Sequence, residues 1–150
     1  MSDLLTDRIK GEMKAAMKSG DKARLGVIRL MLSAIKQVEV DERIVLDDQR
    51  TIAVLDKMVK QRRESIRQYG DAGRDDLVAV EEAEVLVIQD FLPQALSEVE
   101  IDQMISAAVA QSGAASVKDM GKVMGLLKNA MQGRADMSVV GAKIKAALAE

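Results

Sequence analysis

The 150-residue chain contains no cysteine, no histidine and no tryptophan, a single proline (Pro93) and only two aromatics, Tyr69 and Phe91. Without cysteine and histidine, disulfides, thiol nucleophiles, imidazole bases and the usual zinc sites are excluded together. Any chemistry would have to run on Asp, Glu, Lys, Ser or Tyr. With so few aromatics, a core must be assembled from Leu, Ile, Val, Met and Ala, a palette that favours helix packing over a sheet sandwich. No stretch approaches the roughly 20 apolar residues that span a bilayer, and Asp3 and Asp7 precede any basic residue. These features lead to the expectation of a cytoplasmic protein with no membrane contact. The formal charge of −2 provides no whole-chain attraction to nucleic acid, so such binding would require a local patch.

The chain reads as helices throughout. Leu4, Leu5, Ile9, Met13 and Met17 recur at three- to four-residue steps until Gly20, which predicts a first, loosely held helix. Asp21 can cap a second, with Leu25, Ile28, Met31, Leu32, Ile35 and Val38 on one stripe. Asp47 or Asp48 can cap a third, carrying Ile52, Leu55, Met58, Val59, Ile66 and Tyr69 as far as Gly70. A fourth, from about Asp75, places Leu77, Val80, Ile88 and Phe91 on one face and ends near Pro93. Ser97 with Glu100 is a capping box, Ser116 with Asp119 its shorter analogue, and Asp136 can cap a last helix. Gly113 and Gly133 mark the stops between these three shorter helices. Most of the ten methionines fall on apolar stripes and read as core filler. The predicted class is all-α and multihelical: an N-terminal antiparallel helical bundle (1–92), a linker (93–96) and a smaller C-terminal three-helix subdomain (97–150).

Charge is unevenly spread along this layout. Eight Lys or Arg stand between Arg8 and Lys36 against two acids, whereas ten acids stand between Asp71 and Asp102 against Arg74 alone. In the sixth helix, projection at about 100° per residue groups Lys118, Gly121, Lys122, Gly125 and Lys128 within an arc of roughly 120°. Met120, Val123, Leu126, Leu127, Ala130 and Met131 fall opposite. An interior glycine costs about 1 kcal/mol relative to alanine, so two on one polar face need a reason. Either the bare backbone is what a bulky anion approaches while lysines neutralise it, or a neighbouring helix packs there and the lysines are ordinary solvated charge. Arg134, in the turn Gly133-Arg134-Ala135-Asp136, would project beside this face. The turn is either a plain helix connection or a place where a helix N-terminus meets an anion.

Arg62 projects among Leu55, Met58, Ile66 and Tyr69, and Glu81 and Glu84 fall within the stripe of the fourth helix. An antiparallel hairpin sets them opposite one another, which predicts a desolvated ion pair of Arg62 with these glutamates. A carboxylate metal site would be the functional counterpart, but bundle sites of the Glu-x-x-His kind require a histidine. No serine lies near a base by pattern, no phosphate-binding loop follows a strand, and no aromatics are available to stack bases. The residues alone describe a binding or adaptor protein with no catalytic site, metal or cofactor.

Several segments, in order, resemble the GatB/YqeY family, and in particular its free-standing YqeY-like members: Arg29-Leu30-Met31-Leu32-Ser33-Ala34-Ile35-Lys36, Lys60-Gln61-Arg62-Arg63-Glu64-Ser65-Ile66, Phe91-Leu92-Pro93, Met120-Gly121-Lys122-Val123-Met124-Gly125 and Gly133-Arg134-Ala135-Asp136. The chain departs from the pattern at Gln132, often lysine, and at Met137, often Gly or Pro. The resemblance implies an all-helical fold in two subdomains and a link to tRNA. The related domain is the tail of the B subunit of glutamine-dependent tRNA amidotransferases, whose family label is carbon–nitrogen ligase with glutamine as amido donor. This chain lacks the cradle and amidase domains, so the label implies a tRNA-binding accessory module, with a tRNA amidotransferase or an aminoacyl-tRNA synthetase as partner. Carried over residue by residue, Lys118, Gly121, Lys122, Gly125 and Arg134 match the motif that would face RNA. Two alternatives stand beside this: a subunit of an amidotransferase-like enzyme, and a helical protein–protein adaptor that uses the acidic hairpin of Asp75 to Asp90 and binds no RNA.

Overall fold

The computed structural model describes residues 4–149, and all regular structure among them is helical. Asp3 and the outermost residues of both expected subdomains lie outside that range. The order is α1 (Leu5–Ser19), α2 (Lys22–Glu42), α3 (Asp48–Asp71), α4 (Asp75–Gln89), α5 (Glu98–Ser112), a 3-10 turn at Val117–Asp119, α6 (Met120–Met131) and α7 (Met137–Ala149). Among the described residues no helix is long and apolar enough to cross a membrane. The chain forms two compact units, one ending at Leu92 and the other beginning at Pro93.

In the first unit, short polar side chains set the helix starts. Asp21 accepts the Arg24 amide at 3.1 Å and Asp47 the Arg50 amide at 2.8 Å, so Asp47 is the cap of α3. Asp48 turns the other way: its carboxylate accepts the Leu5 amide at 2.8 Å and caps α1 from 43 residues away. Adjacent aspartates thus satisfy the orphan amides of two different helices, each cap being worth about 1 kcal/mol. Gly20 ends α1 at φ 74°, a left-handed conformation that glycine adopts without steric penalty.

The core of this unit is Ile28, Met31 and Ile35 of α2, Leu55 and Val59 of α3, Ile88 of α4, Ile9 of α1 and Leu46 of the α2–α3 turn. Helix α1 is not loosely held, because Ile9 is fully buried. The face of α4 also differs from expectation: Val80 is 57% exposed, whereas Val85 and Ile88 are buried. This helix carries apolar residues around most of its circumference, so periodicity could not select a face. Packing against α3 centres it on Leu77, Glu81, Glu84 and Ile88, with Val80 about 60° or more off that line. Thr51, which carries no apolar signal, is buried with its hydroxyl donating to the Asp47 carbonyl at 2.9 Å.

Phe91 lies beyond the end of α4, in the turn before Pro93, and is buried. The Arg8 and Arg24 guanidiniums stack on its ring at 5.1 and 5.5 Å from the centroid. Each is also tied to the neighbouring Asp90, Arg8 donating to its carbonyl at 2.7 Å and Arg24 to its carboxylate at 2.8 Å. Arg24 reaches Glu12 as well, at 3.6 Å.

In the second unit, Ile105 and Ala108 of α5, Val123, Leu127 and Met131 of α6, and Val140, Ile144 and Leu148 of α7 form a separate core. The Ser97 hydroxyl accepts the Glu100 amide at 3.1 Å while the Glu100 carboxylate accepts the Ser97 amide at 3.2 Å, a reciprocal capping box. Gly113 and Gly133, at φ 69° and 77°, make the left-handed stops.

Replacing Phe91 removes both the buried ring and the platform for two cations. Phe91→Ala is expected to destabilise the protein by about 3–5 kcal/mol, and Phe91→Leu by clearly less, in urea unfolding followed by circular dichroism. A loss near zero for Phe91→Leu would show that the guanidinium–ring contacts contribute nothing.

Candidate nucleic-acid interface

The lysine and glycine face predicted for the sixth helix is built from two pieces. Lys118 stands in the 3-10 turn and not in α6, so the helical projection applies only from Met120 onward. Asp119 holds the turn, its carboxylate accepting the Ala115 amide at 2.9 Å and the Ser116 amide at 3.3 Å. Chiefly through the Ala115 amide, these bonds hold the carboxyl below its ordinary 3.8. The same carboxylate lies 3.8 Å from Lys122. Within α6, Gly121, Gly125 and Lys128 remain beside Lys122 and are exposed, opposite the buried Val123, Leu127 and Met131. Leu126 is 45% exposed and belongs to the open side, since it falls about 100° from the centre of the buried stripe. Asn129, seven residues after Lys122, shares the same exposed face and was missed because a lone amide carries no charge signal.

A Cβ at Gly121 or Gly125 would meet no atom within 4 Å, so neither is needed for helix approach. Close packing instead involves Gly141 of α7, where a Cβ would touch Met120 and Met124 at 3.6 Å. The exposed strip is therefore bare helical backbone bordered by Lys118, Lys122 and Lys128. Among the described residues, Lys118 and Lys128 make no ion pair.

Two other cations of this unit, Lys143 and Arg134, are committed. Lys143 bridges Glu98 at 3.3 Å and Asp102 at 2.8 Å, which raises its ammonium above the ordinary 10.5, chiefly through the Asp102 hydrogen bond. Arg134 is half-buried, its Nε donating to the Gln94 carbonyl at 2.9 Å while its own carbonyl accepts the Leu96 amide at 2.8 Å. It straps the chain before α5 to the turn after α6, leaving only its terminal nitrogens for a ligand. Asp136 accepts the Ser138 amide at 3.0 Å, so the start of α7 is served by its own carboxylate and not open to an anion.

In the first unit, Arg62 and Glu84 are brought together across α3 and α4, with Nε 3.4 Å from the carboxylate and side chains 14% and 22% exposed. Nη1 donates to the Met58 carbonyl at 3.2 Å, whereas the buried Nε–H lacks hydrogen-bond alignment. Glu81 is half-buried on the same face but forms no ion pair among the described residues.

A family model described as "Yqey-like protein" matches residues 6–148. The protein "Altered inheritance of mitochondria protein 41, mitochondrial" of Pyrenophora tritici-repentis is 27% identical over 146 residues, which cover 95% of this chain and 80% of that protein. Its namesake in Saccharomyces cerevisiae strain S288c is 36% identical over 100 residues, 65% of this chain and 54% of the relative. The Lachancea thermotolerans protein of the same name is 37% identical over 101 residues, with the same coverage. The match thus spans about half the length of these two yeast relatives. All three are named as mitochondrial, which overturns the expectation of a cytoplasmic protein. An acidic start and the lack of a long apolar run carry no information about compartment.

Glu84→Gln strands the Arg62 guanidinium and is expected to destabilise by about 1–3 kcal/mol, the partial exposure keeping it below a fully buried pair. Glu81→Gln should stay within about 0.5 kcal/mol of wild type in the same urea unfolding. Both Asp119 and Glu100 are depressed carboxylates, Glu100 chiefly through the Ser97 amide. Their contribution is present above the ordinary values of 3.8 and 4.5 and is lost as pH falls through the lower folded values. Asp119→Asn combined with Glu100→Gln should lower the Tm near neutrality and flatten its fall in acid, as thermal melts across the acid range would measure.

Proposed function

We propose that this chain, which belongs to the YqeY-like protein family, is an RNA-binding accessory module whose ligand is tRNA and whose contact surface is the glycine and lysine face of α6 with the turn before it. The observation that carries this reading is the open backbone at Gly121 and Gly125. Gly125 lies inside α6, where glycine costs about 1 kcal/mol relative to alanine, and Gly121 in its first turn; neither has a packing partner, nor have Gly11 and Gly26, so their pairing on one face beside the neighbouring lysines is what sets these two apart. Beside Lys118 and Lys128, which make no ion pair among the described residues, and Lys122, which reaches Asp119 at 3.8 Å, they let phosphate oxygens come close to the backbone while ammonium groups neutralise them. Residues 93–150 contain no aromatic side chain, so the contact is with the sugar–phosphate backbone of folded RNA and not with splayed bases.

The resemblance to the tail of the B subunit of glutamine-dependent tRNA amidotransferases supports tRNA in particular. The label of carbon–nitrogen ligase with glutamine as amido donor then describes a partner acting on aminoacyl-tRNA, an amidotransferase or an aminoacyl-tRNA synthetase. This chain supplies binding and positioning. Lys118, Lys122 and Lys128 are its phosphate contacts, and Arg134 braces the turn behind them.

The test is binding of bulk tRNA across several salt concentrations. Lys118→Glu/Lys122→Glu should weaken binding and reduce the log–log salt slope by about 2, with helicity unchanged by circular dichroism. Gly121→Ala/Gly125→Ala separates function from stability, because it should raise stability by about 0.5–1 kcal/mol per site and still weaken tRNA binding. Equal binding by all three proteins, or none at low salt, would leave the protein–protein adaptor as the reading.

A further inference from the structure

The first unit carries a second cationic surface of different construction. Lys22, Arg29, Lys36 and Arg43 recur every seven residues along α2 and its C-cap. Seven residues bring an α-helix back to within about 20° of the starting direction, so Lys22, Arg29 and Lys36 share one face of α2, and Arg43 follows them at its left-handed C-cap. Among the described residues none of these side chains makes an ion pair or hydrogen bond, whereas Arg24 is held by Asp90 and Arg50 by Glu42. Glu39, the acid beside the row, is committed to the Leu46 amide at 2.9 Å.

The ground between the cations combines apolar Met13, Leu32, Val40, Ile44 and Val45 with polar Ser33 and Gln37. An open groove of about 530 Å³ runs over Leu32 and Val40 beside Arg29 and Lys36. A second, of about 350 Å³, continues past Val40 to Arg43 and to Val45, which is 81% exposed. Arg43 stands at φ 57° and is the sole non-glycine with positive φ among the described residues. That conformation strains a residue bearing a Cβ, and its guanidinium gains no partner within the described residues in return.

We infer that this face docks an acidic amphipathic helix of a partner protein. Two packed helices present matching rows every two turns, so carboxylates spaced seven residues apart on the partner meet the cations in register while its apolar stripe covers Leu32 and Val40. Phosphate backbone would satisfy the charges but leave the apolar floor in water, and burial of that floor is what favours a protein helix. The site is independent of the α6 face, so either proposal can fail alone.

The probe is a labelled synthetic helix of three heptads, with Leu on one stripe and Glu flanking it at seven-residue spacing, titrated with the full chain by fluorescence anisotropy. Its scrambled and Glu→Lys versions serve as controls. The acidic helix should bind, and Arg29→Glu/Lys36→Glu should weaken it at least about tenfold while improving binding of the lysine version. Val40→Asn should weaken it severalfold. Arg43→Gly relieves the strained backbone and removes a charge, so it should fold at least as stably and still bind more weakly. Failure of the acidic helix to bind, equal binding of its scrambled version, or indifference to Val40→Asn and Arg43→Gly would overturn the proposal. It would be overturned equally if Arg29→Glu/Lys36→Glu reduced tRNA binding as much as Lys118→Glu/Lys122→Glu does, since the groove would then be a phosphate surface.

Discussion

The single phenylalanine sits where three parts of the first unit converge, and two positive charges close over it. Its ring gives Arg8 of α1 and Arg24 of α2 an apolar platform, while the carbonyl and carboxylate of Asp90 fix the guanidiniums at its edge. Cation–ring attraction is worth about 0.5–2 kcal/mol per pair depending on desolvation, and the hydrogen bonds supply the direction that Leu and Ile contacts lack. A core made almost entirely of aliphatic side chains tolerates sliding and repacking. Here the turn after α4 is pinned to α1 and α2 at one defined point, and the remaining apolar contacts can settle around it.

Cations in this chain fall into two groups. Arg8, Arg24, Arg62, Arg134 and Lys143 are internal fasteners, each bound to a carbonyl or a carboxylate of its own unit. Lys118 and Lys128, and the row along α2, make no such bond among the described residues. Counting charge along the sequence merges these groups, because both contribute equally to the total. The distinction rests on where the partners lie: Arg8 meets Asp90 across 82 positions and Arg134 meets Gln94 across 40.

The helices and their caps were legible because they are local. Asp21, the Ser97–Glu100 box, Gly20 and Gly113 act within a turn of the residues they serve, so spacing reveals them. Arg62 facing Glu84 was legible too, since one hairpin relates the two helices. Val80 was misplaced because α4 carries apolar residues on several sides and does not declare which is inward, and Leu126 because it stands at the edge of a wide apolar stripe in α6. The open surroundings of Gly121 and Gly125 could not be read at all from sequence, because packing or solvent around a glycine is a property of its neighbours.

The consecutive aspartates at the start of α3 bear on the order in which the first unit folds. Asp47 completes a helix that is beginning under it, but Asp48 completes one that began 43 residues earlier. The amino-terminal end of α1 therefore acquires its cap only after the loop through α2 has closed. Such loop-closing contacts carry an entropy that must be met before they stabilise anything. The beginning of helix α1 is thus secured by α3 and not by a residue of its own segment.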